Sequence, residues 1–130
     1  MGREFANHYY YAFGEEVFNY NDIQKWLAPN EEVQAMFQSG QNVCAFTNKR
    51  IILRGMSVNE AGRLIGKEIY STSIPYRSIS MFSHEVTDTT IFNAFKHVDL
   101  WLWGGEIISL LFPKNTDFAS IKKALRENVL

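Results

Sequence analysis

Three histidines and one cysteine are the side chains in this 130-residue chain best suited to nucleophilic or metal chemistry. His8, His84 and His97 lie far apart, and none stands at ligand spacing from another or from Cys44. The neighbours His84/Glu85 and His97/Asp99 have the chemistry of a proton relay. An imidazole and a carboxylate on one strand face also form an ordinary surface hydrogen bond, which is the simpler expectation. Cys44 sits between Val43 and Ala45, where a thiol behaves as a small buried hydrophobe. No glycine-rich phosphate loop, nucleophile elbow or paired-carboxylate motif occurs. The residues predict no catalytic centre, no metal and no cofactor.

Binding chemistry has two candidates. Lys49, Arg50, Arg54, Arg63 and Lys67 could line a basic surface for an anionic ligand or a membrane, at about 1 kcal/mol per basic residue near anionic lipid. Against this, Lys49 falls at a hairpin tip, where a solvated charge is ordinary. The second candidate is aromatic. In a strand over 96–103, Val98, Leu100 and Leu102 share one face, and His97, Asp99, Trp101 and Trp103 share the other. The aliphatic row is the natural core face, which leaves two indoles outside. The next segment, Ile107–Phe112, is apolar on both faces, adding Ile108, Leu110 and Phe112 to the interface candidates. Small antiparallel sheets normally alternate, so this sheet is expected to pack against something more. Two readings stand: a second copy of the chain, or cover in cis by Tyr9, Phe13 or Trp26.

Positioning these residues requires one domain, the number a chain of this length supports. The composition, 46% hydrophobic and 21% charged, supports a real core and excludes overall disorder. No apolar run approaches a membrane span, no secretory signal is visible, and the single cysteine suits a reducing, cytoplasmic setting. The net charge of −1 argues against nucleic acid as a partner. That charge hides an asymmetry: residues 1–40 carry six acidic and two basic groups, whereas residues 41–80 carry two acidic and six basic.

The pattern divides the chain into a helical leader over residues 1–30 and a β-rich domain over 31–130. Phe5, Tyr9, Phe13 and Val17 step by four, predicting a helix over 5–20 despite Gly14. Asn21 or Asp22 caps a short second helix carrying Ile23, Trp26 and Leu27. Strands are predicted over 33–38, 43–47, 51–53, 68–74, 80–86, 96–103 and 106–112, with a polar loop over 56–66 and a turn at 88–90. Asn48 is expected to supply a left-handed turn, Pro75 to end a strand, and Tyr76 or Arg77 to pin a corner or hold a partner. An amphipathic helix with Phe118, Ile121, Ala124 and Leu125 on one stripe closes the chain.

Phe46-Thr47-Asn48-Lys49-Arg50-Ile51-Ile52-Leu53 resembles the hairpin signature of the bacterial pleckstrin-homology (PH-like) domain family. Ile74-Pro75-Tyr76-Arg77-Ser78-Ile79 with Phe82-Ser83 is similar to that family's most recognisable segment, and Trp101, Gly104 and the terminal helix follow in order. The resemblance covers Glu31 to Leu130. It implies a mainly β fold of seven antiparallel strands in two near-orthogonal sheets, capped by a C-terminal helix, with no known enzymatic activity. It further implies a tendency to form ring-like homo-oligomers. Apart from the resemblance, a protein partner is an added option, and membrane contact through the basic residues a weak one. Eukaryotic pleckstrin domains that bind phosphoinositides carry basic residues in the first hairpin loop. Here that loop, Ser39-Gly40-Gln41-Asn42, has no positive charge, which argues against inositol phosphates.

Overall fold

The computed structural model of this chain describes residues 8–56, 58, 70–83, 86–87 and 95–129. Ten strands and one terminal helix follow in order: β1 (His8–Ala12), β2 (Glu16–Val17), β3 (Val33–Ser39), β4 (Asn42–Thr47), β5 (Arg50–Gly55), β6 (Tyr70–Pro75), β7 (Ile79–Phe82), β8 (Val86–Thr87), β9 (Phe95–Leu102), β10 (Ile107–Pro113) and α1 (Ala119–Val129). A 3-10 helix spans Asn21–Trp26, and a single 3-10 turn spans Tyr76–Ser78. The seven predicted strand segments are all represented, the fifth of them, 80–86, being split into β7 and β8.

The strands form two sheets. One is ordered β2-β3-β4-β5-β6. The other is ordered β1-β10-β9-β7, with the short β8 also pairing with β9. The main core lies between them. Phe37, Phe46, Leu53, Leu100, Leu110 and Phe112 are fully buried there, and Phe112 is the hub of a ring cluster with Phe13, Phe37 and Phe118. The stripe of α1 closes one end. Ile121, Ala124 and Leu125 are buried, and the Asp117 carboxylate caps the helix by accepting from the Ala119 N–H at 3.0 Å.

The leader departs from its helical prediction: residues 8–17 hold two strands, and among its described residues the only helical piece is Asn21–Trp26. The reason is periodicity. A step of four is also a multiple of two, so Tyr9, Phe13 and Val17 fit one strand face as well as one helix face. Tyrosine-rich β1 finds an open edge on β10 and pairs with it in parallel, Tyr9 beside Ile108 and Tyr11 beside Leu110. Tertiary pairing then outweighs local preference. Gly14 sits where an added Cβ would overlap the Gln38 carbonyl oxygen and lie 2.9 Å from the Ser39 Cβ. Its lack of a side chain lets the leader press onto β3, where the Gln38 N–H donates to the Glu15 carbonyl at 3.1 Å.

A second apolar cluster lies on the outer face of the five-membered β2–β6 sheet. Ile23 from the 3-10 helix is fully buried against Met36, Val43, Ala45 and Ile52, with Trp26 and Leu27 packed around it. The 3-10 helix of the leader therefore covers the outer face of this sheet, whereas β1 extends the aromatic sheet at its edge. This explains why Val43 through Thr47 are all buried, alternate side chains facing the main core and the leader.

Candidate functional site

Alternation along β9 places Trp101 beside Met81 of β7 in register, on the side of the sheet opposite Val98 and Leu100. Just past the strand, Trp103 is 75% exposed, and Met81 is 55% exposed. The Trp103 N–H donates to the Ser78 carbonyl at 3.0 Å, so its backbone is held while its indole projects. None of the three expected in-cis covers lies here: Phe13 is in the main core, Trp26 packs in the second cluster, and Tyr9 stands beside Ile108 in a cleft that Leu102 also lines. Ile108, Leu110 and Phe112 do not join this surface. They are 6%, 0% and 0% exposed and face the main core, because β10 alternates after all, with Ile107, Ser109 and Leu111 on the outer face. Leu111 and Ser109 are buried as well, which is how the segment reads as apolar on both sides.

The same face carries a polar chain whose members lie far apart in sequence. The His97 Nδ1 and the Asp99 Oδ1 are 2.8 Å apart, and the Ser109 hydroxyl donates to the same oxygen at 2.7 Å. Having spent its proton there, Ser109 accepts from the His8 Nε2–H at 2.7 Å. In the neutral ring the His8 Nδ1 then accepts from the Tyr10 hydroxyl at 3.2 Å, and the two rings stack with centroids 4.2 Å apart. Burial raises the Asp99 carboxyl, but the hydrogen bonds from His97 and Ser109 outweigh it and leave the pKa lowered. Only His97/Asp99 was legible from spacing; His8 and Ser109 arrive through the β1–β10 pairing. This is not a hydrolytic triad, since the serine bridges His8 to the carboxylate and has no imidazole between itself and Asp99. Among the described residues no three His, Cys, Asp or Glu converge as a metal site. Cys44 is fully buried, and burial pushes its thiol pKa up, away from the reactive thiolate.

The basic candidates do not gather into a site. Arg63 and Lys67 lie outside the described residues, as do His84, Glu85, the turn at 88–90 and most of the 56–66 loop. Lys49 is exposed at its turn. Arg54 lies over the Trp26 ring, 5.1 Å from its centroid. Arg50 is structural. Its Nε donates to Glu31 Oε2 at 3.0 Å, and its terminal nitrogens donate to Glu31 Oε1 at 3.1 Å, the Trp26 carbonyl at 2.7 Å and the Ser73 hydroxyl at 2.8 Å. The Glu31 side chain is completely buried and also accepts from the Thr47 hydroxyl and the Ala28 N–H. Burial raises its carboxyl, yet these donors, Arg50 foremost, hold it down at about 2.

The other motif residues serve the same joint. Asn48 does not adopt the left-handed conformation; Asn30, with φ 65°, does. Instead the Asn48 amide clamps the leader, accepting from the Glu32 N–H at 2.8 Å and donating to the Asn30 carbonyl at 3.2 Å. Pro75 ends β6. Tyr76 is buried and its hydroxyl donates to the Thr47 carbonyl at 2.6 Å, while burial pushes the phenol pKa up. Arg77 is exposed, so Tyr76 and not Arg77 fastens the corner.

Two sheets stapled at one corner by Tyr76 and closed by a terminal helix define a PH-like module. The chain belongs to the bacterial PH domain family, whose model matches residues 15–129. It is 35% identical over 101 residues to the uncharacterized protein YjqA of Bacillus subtilis strain 168, covering 76% of this chain and 75% of that one. The crystal structure of a DUF1696-family protein with a pleckstrin-homology domain from Shewanella loihica superposes with a TM-score of 0.67 at 24% identity, covering 90% of this chain and 99% of that one. A pleckstrin homology domain from Shewanella amazonensis gives 0.59 at 27% identity, covering 85% and 84%. The fold and family make the chain a binding module in general terms. Among the described residues no helix is long and apolar enough to cross a membrane.

Proposed function

We propose that this chain is a non-enzymatic, cytoplasmic interaction module that assembles with copies of itself through the outer face carrying Met81, Trp101 and Trp103. The observation that supports this reading is that two of the four exposed large hydrophobics among the described residues, Trp103 at 75% and Met81, stand together, with Trp101 in register beside Met81. Buried indoles are among the strongest contributors to protein interfaces, and a shared patch suits a symmetric or ring-forming contact. Arg50 and Arg54 are engaged within the chain, which weighs against a basic ligand surface built on them.

Light scattering coupled to size exclusion tests the reading. The expected result is a mass that is a multiple of 15.0 kDa, reduced to one chain by Trp101→Ser with Trp103→Ser while the far-ultraviolet spectrum is retained. A wild-type monomer at high concentration refutes it.

A further inference from the structure

The seam between the two sheets holds a cleft of about 270 Å³, on the opposite side of β9 and β10 from the tryptophan face. Tyr9 and Tyr11 of β1 line it with Ile74 of β6, with Leu102 and Ile108 as further aliphatic surface, and with three hydroxyl-bearing residues of the stretch from β6 to the following turn. Glu106, at the β9–β10 connection, stands at the rim. Its backbone is fixed, because its carbonyl accepts from the Leu102 N–H at 2.9 Å. Its carboxylate lies over Gly104, where an added Cβ would sit 2.6 Å from Oε1. Among the described residues the Glu106 carboxylate has no ion pair or hydrogen bond, and no basic side chain lines the cleft.

We infer that this cleft binds a small organic ammonium ion, its charge set against Glu106 and its alkyl groups against Tyr9 and Tyr11. Each part of the wall matches one part of such a ligand. Aromatic faces attract a cation through the ring quadrupole, most strongly when partly desolvated. The unpaired carboxylate supplies the counter-charge, and the aliphatic floor takes methyl groups without asking for hydrogen bonds. An anion would meet Glu106 with no compensating donor charge. A neutral hydrocarbon of the same shape would gain the floor but leave the carboxylate unanswered. The volume falls just below the roughly 300 Å³ at which drug-sized sites begin, so it suits a headgroup-sized ligand. The shared chemistry has two sources, a free quaternary amine or the side chain of a lysine in another polypeptide.

Titration calorimetry on the full chain separates these outcomes, with choline, its uncharged isostere 3,3-dimethylbutan-1-ol, and N-acetyl-lysine amide as probes. Choline or the lysine amide is expected to bind saturably and at least tenfold more tightly than the isostere. Preference for choline assigns a free amine, and preference for the lysine amide assigns a polypeptide. Glu106→Gln should abolish that charge preference, and Tyr9→Leu should weaken the cation while Tyr9→Phe retains it. Tyr9 and Glu106 are both partly exposed, so unchanged thermal midpoints will show that the variants remain folded. Binding of neither cation, equal binding of the isostere, or binding indifferent to Glu106→Gln overturns the inference. Because the tryptophan face lies on the other side of the sheet, Trp101→Ser with Trp103→Ser should leave this binding intact, which keeps the two proposals separately testable.

Discussion

Replacing Arg50 by methionine removes the positive charge that is bonded to the fully buried Glu31 carboxylate while keeping most of the side-chain volume. Breaking a buried pair from one side costs about 3–5 kcal/mol, because the remaining charge is neither hydrated nor countered. The same site makes the wild-type protein acid-sensitive. The Glu31 carboxyl is held at about 2 in the fold against an ordinary value of 4.5. A depressed pKa contributes stability that is complete above the unfolded value and lost as pH falls through the folded one. The window therefore runs from pH 4.5 down to about 2, and the shift corresponds to about 3 kcal/mol. Urea unfolding at pH 7, 4.5, 3 and 2 measures it, with Glu31→Gln as the reference that removes this titration and leaves the other carboxylates in place. Wild type should lose about 3 kcal/mol more than Glu31→Gln across that window. Arg50→Met should reverse the trend, gaining stability relative to wild type as Glu31 protonates. Parallel pH profiles for wild type and Glu31→Gln, or a cost below about 1 kcal/mol for Arg50→Met at pH 7, would refute the assignment of Arg50–Glu31 as the joint of leader and hairpin.

Two further perturbations test the leader and the corner. Gly14→Ala forces a Cβ into the Gln38 carbonyl, so β2 must retreat from β3; a loss of about 1–3 kcal/mol and faster hydrogen exchange at the Gln38 amide are expected, and unchanged exchange contradicts the close approach. Tyr76→Phe leaves the Thr47 carbonyl without its side-chain donor at no change in packing, which should cost about 1–3 kcal/mol in denaturant unfolding, whereas Arg77→Ala should be nearly neutral.

Local pattern was sufficient where the chemistry was local. Strands from Val33 onward, the Gly104-Gly105 connection, the closing helix and the inert Cys44 were legible because period, turn residues and caps act over a few positions. The leader was not, since spacing by four satisfies a strand face and a helix face equally, and an open β10 edge decided between them. Ile108, Leu110 and Phe112 shared an apolar run with Leu111, and the run alone could not say which parity faced Phe37 and Phe118. Arg50 and Asn48 were visible as motif residues, but their partners Glu31, Trp26 and Asn30 belong to a segment whose path only the packed fold defines.

What this sequence determines by itself is therefore the family, the β-rich order of elements and the aromatic face of β9, all encoded in neighbouring residues. Tertiary structure alone decided that the leader is woven into both sheets, that the basic residues Arg50 and Arg54 serve the fold, and that Tyr9, Tyr11 and Glu106 line one cleft. The physical reason is common to all three. Each depends on which unpaired edge, buried charge or exposed ring finds a partner far along the chain, and that choice is made by the global balance of burial and hydrogen bonding.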